Sequence, residues 1–219
     1  MRFDDPAGLH RFSAETFRQR AAHHQRSAAE IADAFRHHGD HALNPDLADQ
    51  LEAVARRDAA VLIPVIDDGA ADARLILTQR AGSLRQHSGQ VAFPGGKIDP
   101  EDGSPEAAAI REAQEEIALD PAFVTPVGQL PPYLTMSGFR IMPVLAVVKP
   151  GYSLVPNPDE VAEVFEVPLS FLMTPENHIR ESRVWQGRER HYYTMPYENR
   201  FIWGVTAGIL RMLYERLYG

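Results

Sequence analysis

A chain of 219 residues with 44% hydrophobic content can bury one sizeable core and carry a small appendage, so one main domain is expected. It contains no cysteine, which excludes disulfides, thiolate metal sites and a cysteine nucleophile. A formal charge of -8 argues against a nucleic-acid backbone as the main partner; with no apolar run near the roughly 20 residues that span a bilayer, and no apolar core of a secretory signal in the polar first residues, the expected location is the cytoplasm.

Residues 1–56 read as a polar, helical extension, with segments rich in Ala, Glu, Gln, Arg and His at 13–37 and 45–57. His23 with His24, and His37 with His38 and His41, lack metal-site spacing, since adjacent histidines point apart on a helix; a solvated surface or a dimer-facing arm is the better reading. Residues 57–219 read as the main domain. It opens with an apolar, β-branched run at 59–66, a turn at Asp67-Asp68-Gly69 and a second strand at 74–78. Further strands are expected at 91–93, 124–129, 141–148 and 161–167, and a late hairpin at 184–185 and 191–193 around Gln186-Gly187-Arg188. Ile202, Val205, Ile209, Leu213 and Leu217 mark a terminal amphipathic helix, expected to pack in the core. Internal repeats and low-complexity tracts are absent.

The helix expected at 105–118 carries the chemistry. Ser104 can cap it, Pro105 suits its first position, and Glu106 favours the positive end of its dipole. Helical spacing puts Glu112, Glu115 and Glu116 on one face and predicts an apolar stripe of Ala107, Ile110, Ala113 and Ile117 on the opposite one. Like charges four apart are mildly destabilising. A hard cation such as Mg2+ or Mn2+, which prefers carboxylate oxygens and shares its shell with water and substrate phosphates, would account for them. An isolated string of this kind would otherwise read as a solvated helix face.

The neighbouring sequence resembles the Nudix box, G-x5-E-x7-R-E-U-x-E-E-x-G-U with U aliphatic. Arg111, Glu112, Glu115, Glu116, Ile117 and Leu119 stand in their expected places, Ala113 is a small U residue, and Ala118 replaces the usual glycine. In the first half, Asp102 stands six residues after Gly96 where glutamate is usual, and the gap to Arg111 is one residue longer than the pattern. That first half, Gly95-Gly96-Lys97-Ile98-Asp99-Pro100-Glu101-Asp102, is similar to the boxes of the coenzyme A pyrophosphatase branch. The branch's upstream signature is matched by Ile76-Leu77-Thr78-Gln79-Arg80-Ala81, Arg85, Gly89 and Phe93-Pro94-Gly95-Gly96, with Ile76 in place of the first leucine.

The resemblance implies an α/β fold, a Nudix-type α/β/α sandwich around a mixed sheet. It implies water attack on a diphosphate, with Glu112, Glu115 and Glu116 as metal ligands and Mg2+ or Mn2+ as cofactor. Arg111 is suited to orient a glutamate, and Gly95-Gly96 to turn the backbone tightly and offer a carbonyl to metal or an N–H to phosphate. Glu160 is the candidate general base or additional ligand from a downstream loop, with Glu163 its rival and a helix glutamate a third choice. Arg80, Arg85, Gly89 and Lys97 would line the substrate site. Tyr192, Tyr193, Tyr197 or Trp203 could stack an adenine, although core packing is the better reading for each. The implied substrate is coenzyme A or a derivative, split into 4'-phosphopantetheine and adenosine 3',5'-bisphosphate. The alternatives are a Nudix pyrophosphatase for ADP-ribose, a dinucleotide or another nucleoside diphosphate, and a non-catalytic ligand sensor. Family analogy admits a homodimer, which no sequence feature requires.

Overall fold

The computed structural model describes residues 10–23, 38–47, 57–84, 87–185 and 187–219. Its centre is a mixed sheet in which β1 (Arg57–Ile66) lies between β2 (Arg74–Arg80) and β7 (Phe139–Val148). β3 (Val91–Ala92) extends the sheet beyond β2, and β5 (Val124–Gln129) extends it beyond β7. β4 (Gly95–Lys97) pairs with β1, β6 (Tyr133–Leu134) with β7, and β8 (Val161–Pro168) with β2. β1 and β7 run parallel along their whole length, from Arg57 opposite Phe139 to Ile66 opposite Val148. Among the described residues the sheet's other strand pairs are antiparallel.

The central strands are buried on both faces, which is why they read as near-continuous apolar runs. Alternate residues serve different cores. Ala60, Leu62, Ile76, Val144 and Ala146 face α3 (Pro105–Ile117), whose Ala108, Ala109, Ala113 and Ile117 complete that layer. Ile63, Val65, Leu75, Leu77, Leu145 and Val147 face the other way, onto Phe17 of α1 (Ala14–His23) and Leu210, Leu213 and Leu217 of α5 (Gly204–Leu217). The result is the three-layer sandwich expected from the sequence. The smaller helices α2 (Asp40–Leu43) and α4 (Leu169–Leu172) close its periphery. A second, antiparallel sheet has the order β11 (Arg200–Trp203), β10 (Arg188–Tyr197), β9 (Ile179–Trp185). Met195 and Ile202 of this sheet pack into the core of the first, and just beyond β11 the α5 residue Thr206 donates its Oγ1 hydrogen to the Val91 carbonyl at 2.9 Å.

Several local expectations are corrected. Gly95 and Gly96 lie in β4, opposite Val61 and Ala60, and so form strand in place of the expected tight turn. Ile202 belongs to β11, and the terminal helix begins at Gly204. The late hairpin is longer than expected, with Trp185 directly opposite Arg188. On α3, Ala107 is exposed, while Ala108 and Ala109 are fully buried. The buried face therefore runs through Ala109, Ala113 and Glu116, so the glutamates adjoin the apolar stripe. In the N-terminal region α1 confirms helix only as far as His23, and the helix expected at 24–37 and 48–56 lies outside the described residues.

Ser104 caps α3 as expected, its Oγ accepting from Ala107 N–H at 3.2 Å. At the other end Ala118 takes φ 55° and ψ 27°, and its N–H bonds back to the Gln114 carbonyl at 3.0 Å. A left-handed non-glycine residue costs about 1–2 kcal/mol, partly offset by the smaller chain entropy that alanine loses. Ala118→Gly should therefore raise the unfolding free energy by roughly 0.5–1 kcal/mol, read as a higher denaturant midpoint at unchanged slope. A lower midpoint would contradict this origin of the helix end.

Candidate metal and diphosphate site

The candidate site lies where α3 crosses beneath β4. An added Cβ on Gly95 would come within 2.4 Å of the Ala60 carbonyl oxygen, and one on Gly96 within 2.5 Å of the Glu112 carboxylate. A larger residue at 95 would push β4 off β1, and one at 96 would displace the Glu112 carboxylate. With glycine in both places, the Gly95 N–H donates to Glu116 Oε2 at 3.1 Å.

Arg111 fixes the other side. Its Nε donates to Asp102 Oδ1 at 2.7 Å and one Nη2 hydrogen to Asp102 Oδ2 at 3.0 Å, a bidentate pair. Nη2 also reaches the Lys97 carbonyl at 3.1 Å, while Nη1 serves Glu112 Oε1 and Glu115 Oε2, each at 3.0 Å. All the guanidinium donors are thereby used. The bond from Arg111, followed by the Asp99 N–H, holds the Asp102 carboxyl below its ordinary range, and the Asp102 pair in turn raises Arg111. The extra residue before Arg111 is taken up in a turn, where Asp99 N–H donates to Asp102 Oδ2 at 2.7 Å and Gly103 has φ 72°. Asp102 is thus the anchor of Arg111, a role its departure from the usual pattern concealed.

The downstream loop is tied to the same helix. Val155 N–H donates to the Ile117 carbonyl at 3.0 Å and Asn157 N–H to the Glu116 carbonyl at 2.8 Å. The Glu160 carbonyl accepts from Ala81 N–H at 2.8 Å, joining the loop to the end of β2. There the β2–β8 register shifts between Gln79 and Arg80. A bulge of this kind re-aims a side chain, and Arg80 Nη1 stands 3.8 Å from Glu116 Oε1. The structure separates the two loop candidates: Glu160 interacts electrostatically with Glu112 and Glu116, whereas Glu163 is ion-paired to Arg200.

Glu116 is only 3% exposed. Burial is the main reason its carboxyl is pushed up to about 7, reinforced by Glu112 and Glu160 against the Gly95 N–H and Arg80. Glu112 is raised as well, by burial first and then by Glu115 and Glu160, although Arg111 opposes this. Glu115 differs, since its side chain is 56% exposed and turned to Arg111.

Among the described residues, no three His, Asp or Glu side chains converge tightly enough to enclose an ion. The donor set instead fits an open site. Mg2+ commonly takes one or two carboxylates and completes its shell with water and substrate phosphates, and Glu112 and Glu116 are a raised, mutually repelling pair that a dication would relieve. Gly89, at φ 70°, donates its N–H to the Arg80 carbonyl at 3.1 Å and so shapes the β2–β3 connection. The Lys97 side chain is exposed, and it is its carbonyl that enters the cluster. Arg85 lies outside the described residues.

The family comparison agrees with this arrangement: the NUDIX domain model matches residues 55–188, and the chain belongs to the Nudix family of hydrolases. Similar chains include the uncharacterized Nudix hydrolase NudL of Citrobacter koseri, 45% identical over 162 residues that cover 74% of this chain and 83% of that protein. NudL of Cronobacter sakazakii is 42% identical over 158 residues, covering 72% and 81% respectively. A solved MutT/nudix family protein from Enterococcus faecalis aligns with 87% of this chain and 74% of its own at 15% identity and a TM-score of 0.46. The protein is accordingly an enzyme, of a family that acts on small molecules and generally uses divalent metal ions. Among the described residues no helix is long and apolar enough to cross a membrane.

A pH signature follows for the metal-free protein. Because the folded Glu116 carboxyl titrates near 7 and its ordinary value is 4.5, the folded state holds this proton more tightly. The associated stability is fully present below the ordinary value and is lost as pH rises through 7. The loss amounts to about 3 kcal/mol as an upper bound. Glu116→Gln, measured by denaturant unfolding in chelator from pH 5 to 8, should flatten that decline and stabilise the protein at pH 8. Parallel profiles for the two proteins would refute the assignment.

Proposed function

We propose that the protein hydrolyses the diphosphate of coenzyme A or a derivative, giving 4'-phosphopantetheine, or its acyl form, and adenosine 3',5'-bisphosphate. The observation that carries the hydrolytic reading is the half-buried Glu112 beside the buried Glu116 under the Gly95-Gly96 strand, with Arg80 at its edge. The coenzyme A reading rests on the residues from Ile76 to Gly96 that resemble that branch's signature.

In this reading Glu112 and Glu116 hold the divalent cation, with Glu115 joining them where its bond to Arg111 yields. Held there, Mg2+ or Mn2+ would supply positive charge to diphosphate oxygens and would make a water easier to deprotonate. Glu160 accepts the proton of the attacking water, the new P–O bond forms, and the bond from phosphorus to the bridging oxygen breaks, the leaving phosphate taking the electron pair. Arg111 keeps Glu112 in place through its bonds to Asp102 and Lys97. Arg80 and Arg85 bind phosphate groups, Lys97 adds positive charge at the mouth, and Gly89 with Gly95 and Gly96 shapes the approach. A cytoplasmic enzyme would meet this substrate directly.

Mass-spectrometric product analysis of coenzyme A, ADP-ribose and NADH, each with and without Mg2+ or Mn2+, tests the proposal. Metal-dependent 4'-phosphopantetheine is expected, with Glu112→Gln lowering turnover by at least about a hundredfold. Intact coenzyme A beside cleaved ADP-ribose would overturn the substrate reading, and undiminished turnover by a folded Glu112→Gln protein would overturn the ligand assignment. Absence of turnover of all three would overturn the coenzyme A reading and point to another diphosphate as the substrate.

A further inference from the structure

The strand β9, Ile179-Arg180-Glu181-Ser182-Arg183-Val184-Trp185, is the edge of the second sheet and pairs only with β10 among the described residues. All seven of its residues are exposed. Val184 is 70% exposed, Trp185 55% and Ile179 44%, a large apolar outlay for a free edge. Proteins usually blunt such edges with charged side chains, proline or a bulge. β9 has neither proline nor bulge, its register against β10 being unbroken from Ile179 to Trp185, and its charges are Arg180, Glu181 and Arg183.

We propose that this edge is a homodimer interface, in which β9 pairs antiparallel with β9 of a second copy in a register centred on Ser182. Charge complementarity selects both the occupant and the register. A two-fold axis across an antiparallel pair must pass through two identical residues. Centring on Glu181 sets glutamate against glutamate, and centring on Arg183 sets arginine against arginine. Centring on Ser182 sets Glu181 against Arg183 twice, and Ile179 against Trp185 twice, using the whole strand.

The residues involved share one face, since side chains alternate along a strand. On that face Arg183 already stands directly opposite Arg190 of β10, a like-charge pair of the kind that destabilises a sheet. Neither Glu181 nor Arg183 has an ion-pair partner among the described residues. The second copy's Glu181 would supply the missing anion beside Arg183, and the two three-stranded sheets would become one of six strands.

The absence of cysteine makes a direct test available. Ser182→Cys places two thiols at directly opposed positions, about 4.5–5.5 Å apart at Cα, within disulfide reach. Mild oxidation should cross-link it nearly completely, whereas Arg180→Cys, displaced from its own copy by roughly 13 Å, should not cross-link. Light scattering of the wild type should give twice the 24.4 kDa chain mass. Arg183→Glu should weaken association by at least about tenfold, and adding Glu181→Arg should restore it. All variants should keep the wild-type far-ultraviolet circular dichroism, because the changes are on an exposed edge. A monomeric wild type, a dimer indifferent to Arg183→Glu, or equal cross-linking of the two cysteine variants would overturn the proposal.

Discussion

The structure depends on the placement of like charges where water is scarce. Glu112 and Glu116 lie against β4, Glu160 is close enough to raise both, and Glu115 adds to the load on Glu112. Arg111 is the nearest cation, yet its charge is shared among Asp102, Glu112 and Glu115, with Asp99 at 3.6 Å. Arg80 approaches only to 3.8 Å. The site therefore carries a surplus of negative charge, which a proton relieves in part and a dication relieves more fully. A purely structural helix face would turn such glutamates to solvent. In this molecule one of them is nearly inaccessible.

The fold imposes this arrangement through packing. Small residues, Ala108, Ala109 and Ala113, let α3 lie close against the sheet, and the buried Ile117 fixes its far end. Glycine at 95 and 96 lets β4 occupy the remaining space between β1 and the glutamates. The Asp102 anchor, the Lys97 carbonyl and the tethered 155–160 loop then close three sides with hydrogen bonds. Apolar burial holds the scaffold, while the polar cluster is stabilised only as far as its charges are matched.

Much of this is legible in the sequence because it is local. The α3 cap at Ser104, the apolar strands and the common side of Glu112, Glu115 and Glu116 follow from spacings of two, three and four residues. What stays hidden depends on long-range contact. Gly95-Gly96 reads as a turn until β1 and Glu112 are seen on either side of it. Asp102 looks misplaced until the Asp99–Gly103 turn brings it to Arg111. Glu160 is preferred to Glu163 in sequence only for its place just before a strand, and the ion pair that occupies Glu163 comes from Arg200, a distant residue. Ala107 falls one step out of phase with the buried face, since alanine in a glutamate-rich helix marks burial weakly. The first residues read as a polar arm, yet Phe17 packs into the main core.

The central claim is that the excess carboxylate charge of α3 is a divalent-cation site. The most direct measurement is a Mn2+ titration of chelator-stripped protein, followed by the electron paramagnetic resonance signal of free Mn2+ and repeated for Glu112→Gln and for Arg18→Gln, a change remote from the site. Saturable binding is expected, weakened at least about tenfold by Glu112→Gln and unchanged by Arg18→Gln. Equal binding by all three proteins, or none by the wild type in the presence of a nonhydrolysable diphosphate, would contradict it.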